Sequence, residues 1–185
     1  MRTSNVVYVL IRLPTAEGPA LLLRRHEKWG DWSLVGGHVE EDELDHWAGA
    51  AAREASEELE PLVRGQDFAV TPIHPEPITW GPEASRSAQG ERTIYHIQYF
   101  TLEFLRDPIT LLRRLPPGEF LLVLEHQLGA TGRTLGSPVH RARRFIEGGL
   151  EAVPRAWSDA LDLQALPQGL RLEPATAMPE PAAMK

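Results

Sequence analysis

Leu44-Asp45-His46-Trp47-Ala48-Gly49-Ala50-Ala51-Ala52-Arg53-Glu54-Ala55-Ser56-Glu57-Glu58-Leu59 is the stretch on which the reading of this chain turns. At about 100° per residue, Leu44, Ala48, Ala51, Ala52, Ala55 and Leu59 fall on one side of a helix. Alanine makes that side nearly flat, which suits close packing on a sheet. Taking Glu54 as zero, Glu58 lies about 40° to one side and Glu57 about 60° to the other. Three carboxylates therefore share a face, which is expected to lie opposite the alanines. Arg53 stands four residues before Glu57 and is placed to pair with it. Pro61 ends the helix, because the residue before a proline is pushed out of the α region. Converging carboxylates repel one another, and a hard divalent cation such as Mg²⁺ or Mn²⁺, which prefers oxygen ligands, relieves the repulsion. A glutamate-rich helix face is more often simply solvated, so the surroundings have to decide.

Upstream, the apolar period changes from 3.6 to 2. Asn5 to Leu13 places Val6, Tyr8 and Leu10 on one face and Val7, Val9 and Ile11 on the other, as in a strand buried on both faces. Pro14 to Pro19 reads as a turn, and Ala20 to Arg25 as a second strand ending in Arg24 and Arg25. Lys28 to Asp31 reads as another turn, and Trp32 to Val35 as a short strand stopped by Gly36-Gly37. Downstream, the proline-rich segment 61–91 reads mostly as loop, with one short strand near Ala69 to Ile73. Arg92 to Leu105 is a long β-rich run, and Pro116-Pro117-Gly118 turns the chain into the apolar stretch Phe120 to Leu124. Ser137-Pro138 opens an amphipathic segment to Ile146 that reads as a capped helix with proline in its first turn. A further short helix is expected over Arg155 to Leu163. The pattern gives one α/β (α+β) domain over residues 1–163, and a Pro/Ala-rich tail, 164–185, that is expected to fray.

Gly36-Gly37-His38-Val39-Glu40 followed by Arg53-Glu54-Ala55-Ser56-Glu57-Glu58 resembles the Nudix family signature, G-x5-E-x7-R-E-U-x-E-E-x-G-U, where U is a bulky aliphatic residue. The resemblance makes Gly37 to Glu60 a variant Nudix box and extends over roughly residues 5–125. Four departures stand out. Gly37 to Arg53 is two residues longer than the family spacing, so the first box acid is Glu43 counted from Gly37 and Asp45 counted back from Arg53. Ala55 takes the bulky aliphatic position, and Glu60-Pro61 replaces the closing glycine and aliphatic residue.

The resemblance implies an α/β/α sandwich with a mixed sheet and the box helix packed on it. It further implies Mg²⁺ (or Mn²⁺) bound by Glu54, Glu57 and Glu58, with the Gly37 carbonyl as a further ligand and Arg53 holding the acids in place. The implied reaction is hydrolysis of a phosphoanhydride bond in a nucleoside diphosphate derivative, with a weak preference for nucleoside di- or triphosphates. A fourth carboxylate often comes from a loop in this family, and Glu119 and Glu125 are the candidates here. The dense acidity of Glu40 to Glu43 favours a helix that starts late, capped by Asp45, with Glu43 outside the metal shell.

Other side chains near the expected site read two ways. Arg24, Arg25 and Lys28 suit phosphate and equally suit a solvated surface. Trp29 and Trp80 are candidates for stacking on a base, since aromatic faces bind bases with little preference, whereas Trp32 fits the core. His38 fits a polar loop role better than a phosphate contact. Arg141, Arg143 and Arg144 read as the solvated face of the late helix.

The absence of cysteine excludes disulfides, thiolate metal sites and the cysteine-dependent isomerase chemistry found on this fold. A net charge of −7 repels long nucleic acid, leaving a small phosphorylated substrate as the partner, and homodimerisation stays open. No apolar run approaches the roughly 20 residues of a membrane span, and no signal pattern precedes Asn5, so the cytoplasm is the default compartment. Three functional classes then compete: a metal-dependent pyrophosphohydrolase, a non-catalytic Nudix-fold nucleotide sensor or interaction domain, and a purely structural domain in which the glutamate face is decoration. Metal-dependent turnover separates the first from the others.

Overall fold

The doubly apolar pattern near the N-terminus becomes a central strand. In the computed structural model, which describes residues 1–131, 134–170 and 172, β1 (Arg2–Leu10) pairs in parallel with β8 (Arg92–Phe104) and antiparallel with β5 (Val35–His38). On its far side β8 pairs with β6 (Phe68–Pro72) along its C-terminal part and with β7 (Ile78–Ala84) along its N-terminal part. This is the expected mixed sheet. A second, antiparallel sheet is built on β3 (Ala20–Arg25), flanked on one side by β2 (Arg12–Leu13) and β4 (Trp32–Ser33) and on the other by β9 (Phe120–Leu124).

Alternation along β1 feeds two cores. Val7 and Val9 face α1 (Trp47–Glu58) and pack with Ala51, Ala55, Leu59, Phe100 and Leu102. Val6 and Leu10 face the other way and pack with Ile97, Tyr99, Val139 and Ala142, the last two from α3 (Ser137–Phe145). Helices thus cover both faces of the mixed sheet. Ala50, Ala51, Ala52 and Ala55 are buried, as the flat alanine side requires. Among the described residues, no helix is long and apolar enough to cross a membrane.

Several local expectations need correction. The strand at Trp32 does not stop at the glycines: it breaks at Leu34 and resumes as β5 through Gly36 and Gly37. Leu44 lies before α1 and is exposed, so it leaves the packed stripe. The segment read as proline-rich loop contains β7, which is an edge strand. Its register shifts between Trp80 and Glu83, and an edge bulge is where a sheet tolerates Pro82. A short helix, α2 (Pro108–Leu112), went unread although Asp107 caps it by accepting from Thr110 N at 2.9 Å, with proline following. The N-cap of α3 is Gly136, with Ser137 the first helical residue.

No helix forms over Arg155–Leu163. Its backbone bonds to the ends of strands instead: Ala156 N donates to Arg12 O, Ala156 O accepts from Phe104 N, and Leu161 N donates to Pro14 O. Residues 164–170 and 172, the described part of the tail, are tied down rather than frayed. Leu170 is buried in the first core and Leu172 bridges Leu122; the tail beyond, 173–185, lies outside the described residues.

The turn after α1 depends on one buried carboxylate. Asp67 accepts from Val63 N and from Arg114, each at 2.9 Å, with Arg106 at 3.8 Å. Burial pushes its carboxyl up, but the Val63 N–H and the two guanidinium groups outweigh that and hold it below the ordinary carboxylate value. A lowered folded-state pKa stabilises the fold above the unfolded pKa and stops doing so as pH falls through the folded value. Asp67→Asn is therefore expected to cost about 2 kcal/mol near pH 7. The gap from wild type should close below about pH 4, the unfolded aspartate range. Thermal melts at both pH values check this, and a gap that persists in acid would refute it.

Candidate active site

The three glutamates of α1 do not form one solvated face. Side-chain exposure is 14% for Glu54, 22% for Glu58 and 59% for Glu57. The helical wheel explains it: Glu58 lies only about 20° from the buried Ala51, so it borders the packed stripe rather than opposing it. Glu58 Oε2 accepts from Gly36 N at 2.8 Å and Oε1 lies 3.2 Å from Arg24. Burial pushes the Glu58 carboxyl up to about 7, the Gly36 N–H and Arg24 offsetting only part of the effect. Glu54 is raised for the same reason.

Arg53 binds all of this to the preceding segment. It donates to both carboxylate oxygens of Glu43 at 2.9 Å, to Glu54 at 2.9 Å, to Glu57 at 3.4 Å and to the His38 carbonyl at 2.9 Å. The hydrogen bond from Arg53 pulls the Glu43 carboxyl down to about 2. The two extra residues of the box are taken up by a short 3₁₀ turn, Glu41–Glu43, whose Glu43 also accepts from Glu40 N at 3.0 Å. The helix does start late, at Trp47, but its N-cap is His46 and not Asp45. Glu43, rather than Asp45, is the acid that meets the box arginine.

Beside Glu58 opens a cleft of about 440 Å³. Glu58, Gly36, Gly37, His38, Arg24 and Arg25 line it, so one box acid and the basic end of β3 share a wall. Trp29 stands at the cleft and is 36% exposed, with Lys28 and Arg86 cations 4.6 and 4.4 Å from its ring centroid. A base would have to compete with them. Trp80 lies outside the lining, packed 4.7 Å from Phe145 between ring centroids, with its Nε1 donating to Glu83. Trp32 is partly buried against the second core. Neither candidate fourth carboxylate reaches the cleft: Glu125 is locked to Arg12 at 2.5 Å, and Glu119 is exposed on the turn before β9. Among the described residues, no three His, Asp or Glu side chains already converge to hold a metal ion. Glu54, Glu57 and Glu58 are each turned to an arginine or a backbone N–H.

Two ion pairs in the lining escaped sequence reasoning. Asp31 pairs with Arg86 at 2.8 Å, and Glu83 pairs with Arg141. Arg141 is not on a solvated face, for its side chain is only 16% exposed. A signal existed, since Arg141 lies about 40° from Phe145 on the helix and so shares its inward side. For Glu83 no local signal existed, because its partner is 58 residues away.

Gly36 and Gly37 are needed for different reasons. A Cβ on Gly36, whose φ is 145°, would run into the Val7 carbonyl and the Tyr8 backbone. One on Gly37 would sit 2.6 Å from Glu54 Oε2, the tip of a flexible side chain. Gly36→Ala is therefore expected to lose about 1–3 kcal/mol of stability through backbone strain. Gly37→Ala should melt close to the wild type, because the flexible Glu54 tip can swing aside. Thermal melts of both variants check this, and a loss in Gly37→Ala as large as in Gly36→Ala would refute it.

The NUDIX domain family matches residues 2–123. Among solved structures, a Nudix hydrolase from M. smegmatis, RenU, is similar with a TM-score of 0.53 at 20% identity, over 83% of this chain and 90% of that one. A MutT/nudix family protein from Enterococcus faecalis and NrtR from Shewanella oneidensis each give a TM-score of 0.38, at 18% and 17% identity, over 55% and 54% of this chain. This chain spans only 37% and 42% of those two. No curated protein matches the chain. With the strand–glycine–helix geometry above and a family match over two thirds of its length, the chain belongs to the NUDIX domain family, hydrolases that act on phosphorus-containing anhydrides.

Proposed function

We propose that this chain is a divalent-cation-dependent pyrophosphohydrolase that cleaves a phosphoanhydride bond in a nucleoside di- or triphosphate or a related nucleoside diphosphate derivative. One observation carries the reading: two desolvated carboxylates, Glu54 and Glu58, are held against Gly36-Gly37 at the edge of a cleft walled by Arg24 and Arg25. Desolvation leaves both acids with raised pKa values and incomplete neutralisation, the condition a hard cation relieves. The donor set fits Mg²⁺ or Mn²⁺, being all oxygen: Glu54, Glu57, Glu58 and the Gly37 carbonyl. When bound, such an ion supplies Lewis acidity to phosphate oxygens.

The rest of the reading concerns the protein's own groups. Arg53 holds Glu54 and Glu57 in position while Glu43 and the His38 carbonyl hold Arg53. Arg24 already lies against Glu58 and, with Arg25, offers guanidinium donors suited to bidentate phosphate contact. A non-catalytic nucleotide sensor is the competing reading, and it predicts binding without turnover.

The test is a panel of nucleoside di- and triphosphates with Mg²⁺ and Mn²⁺, following release of phosphate, pyrophosphate and nucleotide. Glu57→Gln and Glu58→Gln are each expected to abolish turnover with the fold intact. Their melting temperatures without metal should hold or rise, since a repelling charge is gone, while the stabilisation gained on adding Mg²⁺ shrinks. Full activity in both variants would end the metal assignment, and binding without turnover across the panel would favour the sensor.

A further inference from the structure

Four strands of the mixed sheet lie side by side beneath the cleft in the order β7, β8, β1, β5, and contribute Glu83, Tyr95, Tyr8 and Gly36 in turn. The floor is staggered along the strands as well as across them: Gly36 lies opposite Tyr8, which lies opposite Tyr99, whereas Tyr95 is four residues earlier on β8 and Glu83 lies opposite Thr93, so it runs diagonally from the β5 end to the β7 end. Glu58 and Arg24 mark the β5 end. The β7 end carries a different pair, Glu83 and Arg141, joined by a salt bridge, with the Arg141 guanidinium 5.4 Å from the Tyr95 ring centroid. Arg141 comes from α3, beyond the residues that the family matches.

The two ends differ in charge. Among the residues that line the cleft at the β5 end, Arg24 and Arg25 stand with the single carboxylate Glu58, which suits phosphate. At the β7 end one guanidinium is balanced by one carboxylate, and an arriving phosphate would meet Glu83 as well as Arg141. That end offers a neutral ligand donors next to acceptors. Arg141 has five N–H donors, one of them given to Glu83; the Glu83 carboxylate has about four acceptor positions, two of them taken by Arg141 and by Trp80 Nε1. Both side chains are largely buried, 16% and 30% exposed, so a ligand that leaves them badly paired is penalised.

We propose that Glu83 and Arg141 read the polar edge of a nucleobase, and that the base is guanine. Guanine presents adjacent donors at N1 and N2 and adjacent acceptors at O6 and N7. A carboxylate takes the first pair, and a guanidinium takes the second in the bidentate manner common in base recognition. Adenine sets a single donor group beside N7 and leaves an acceptor at N1 facing the carboxylate. The placement of the diphosphate at the β5 end rests on the hydrolase reading, whereas the base contact does not.

The experiment is calorimetric titration of the full chain, without metal, with GDP, ADP, UDP and inorganic pyrophosphate, together with KM and kcat for GTP and ATP in Mg²⁺. GDP is expected to bind at least tenfold more tightly than ADP or UDP. Glu83→Gln and Arg141→Lys should each remove that preference, raising KM for GTP about tenfold with little change in kcat, while affinity for pyrophosphate stays within twofold. Equal binding of the three nucleotides by the wild type would overturn the proposal without reference to any variant, so a variant that fails to fold does not shield it. Folded variants that keep the guanine preference would overturn it, and so would loss of pyrophosphate affinity in Arg141→Lys, which would make that end a phosphate site. Selective GDP binding with no turnover in any metal would defeat the hydrolase reading and leave this one standing. Turnover without base selectivity would do the reverse.

Discussion

Alanine at positions 50, 51, 52 and 55 leaves the middle of α1 no atom beyond Cβ on its buried side, and the sheet edge it meets carries Gly36 and Gly37. The helix and β5 can therefore approach until side chains at the border of the stripe touch backbone. That approach brings Glu58 within hydrogen-bond distance of Gly36 N and sets Glu54 where a Cβ of residue 37 would be. A larger residue on the alanine side, or at Gly36, would hold the two apart and turn the acids towards water. Close packing, which stabilises the fold through apolar burial, thus also creates the electrostatic tension at the site.

That tension is contained by arginine. Carboxylates brought together on one helix and partly stripped of water destabilise the fold unless something neutralises them. Arg53 does so in part for Glu54 and Glu57, and Arg24 in part for Glu58; Arg53 is itself fixed by Glu43 and His38 O. A 3₁₀ turn supplies Glu43, which is how the chain absorbs two extra residues without releasing the clamp. The insertion changes the path of the loop, while the acid that ends it still meets the box arginine.

The parts of this arrangement legible in the sequence are those set by local period. The α1 stripe, β1, β3, β8 and β9 all carry an apolar pattern that needs no knowledge of partners. Glycine was misread as a strand stop because its function here, room for the Val7 carbonyl, belongs to the pairing of β5 with β1. Proline hid β7 because its tolerance depends on being an edge strand with a bulge, again a fact about pairing. The acids were placed opposite the alanines, whereas Glu58 borders the alanine stripe. A helical wheel gives relative angles and says nothing of how wide the buried sector is, and that sector reaches Glu58. Arg141 and Glu83 come together across 58 residues, a distance over which neither periodicity nor the box carries information.

The long-range contacts missed in this way also build the far half of the cleft. The family-matched residues supply α1, β5 and the basic end of β3, which form one end; α3, from beyond residue 123, closes the other by setting Arg141 on Tyr95 and Phe145 on Trp80. Tyr8 lies on the floor between them, on the strand that pairs with both β5 and β8. Burial pushes its hydroxyl up to about 12 despite the nearby Arg141, so it stays protonated and uncharged. An uncharged middle keeps the two ends electrostatically distinct, a cationic wall with raised acids at β5 and a balanced ion pair at β7. A ligand with one anionic end and one neutral polar end can then satisfy both in only one orientation, with its anionic end towards Arg24 and Arg25.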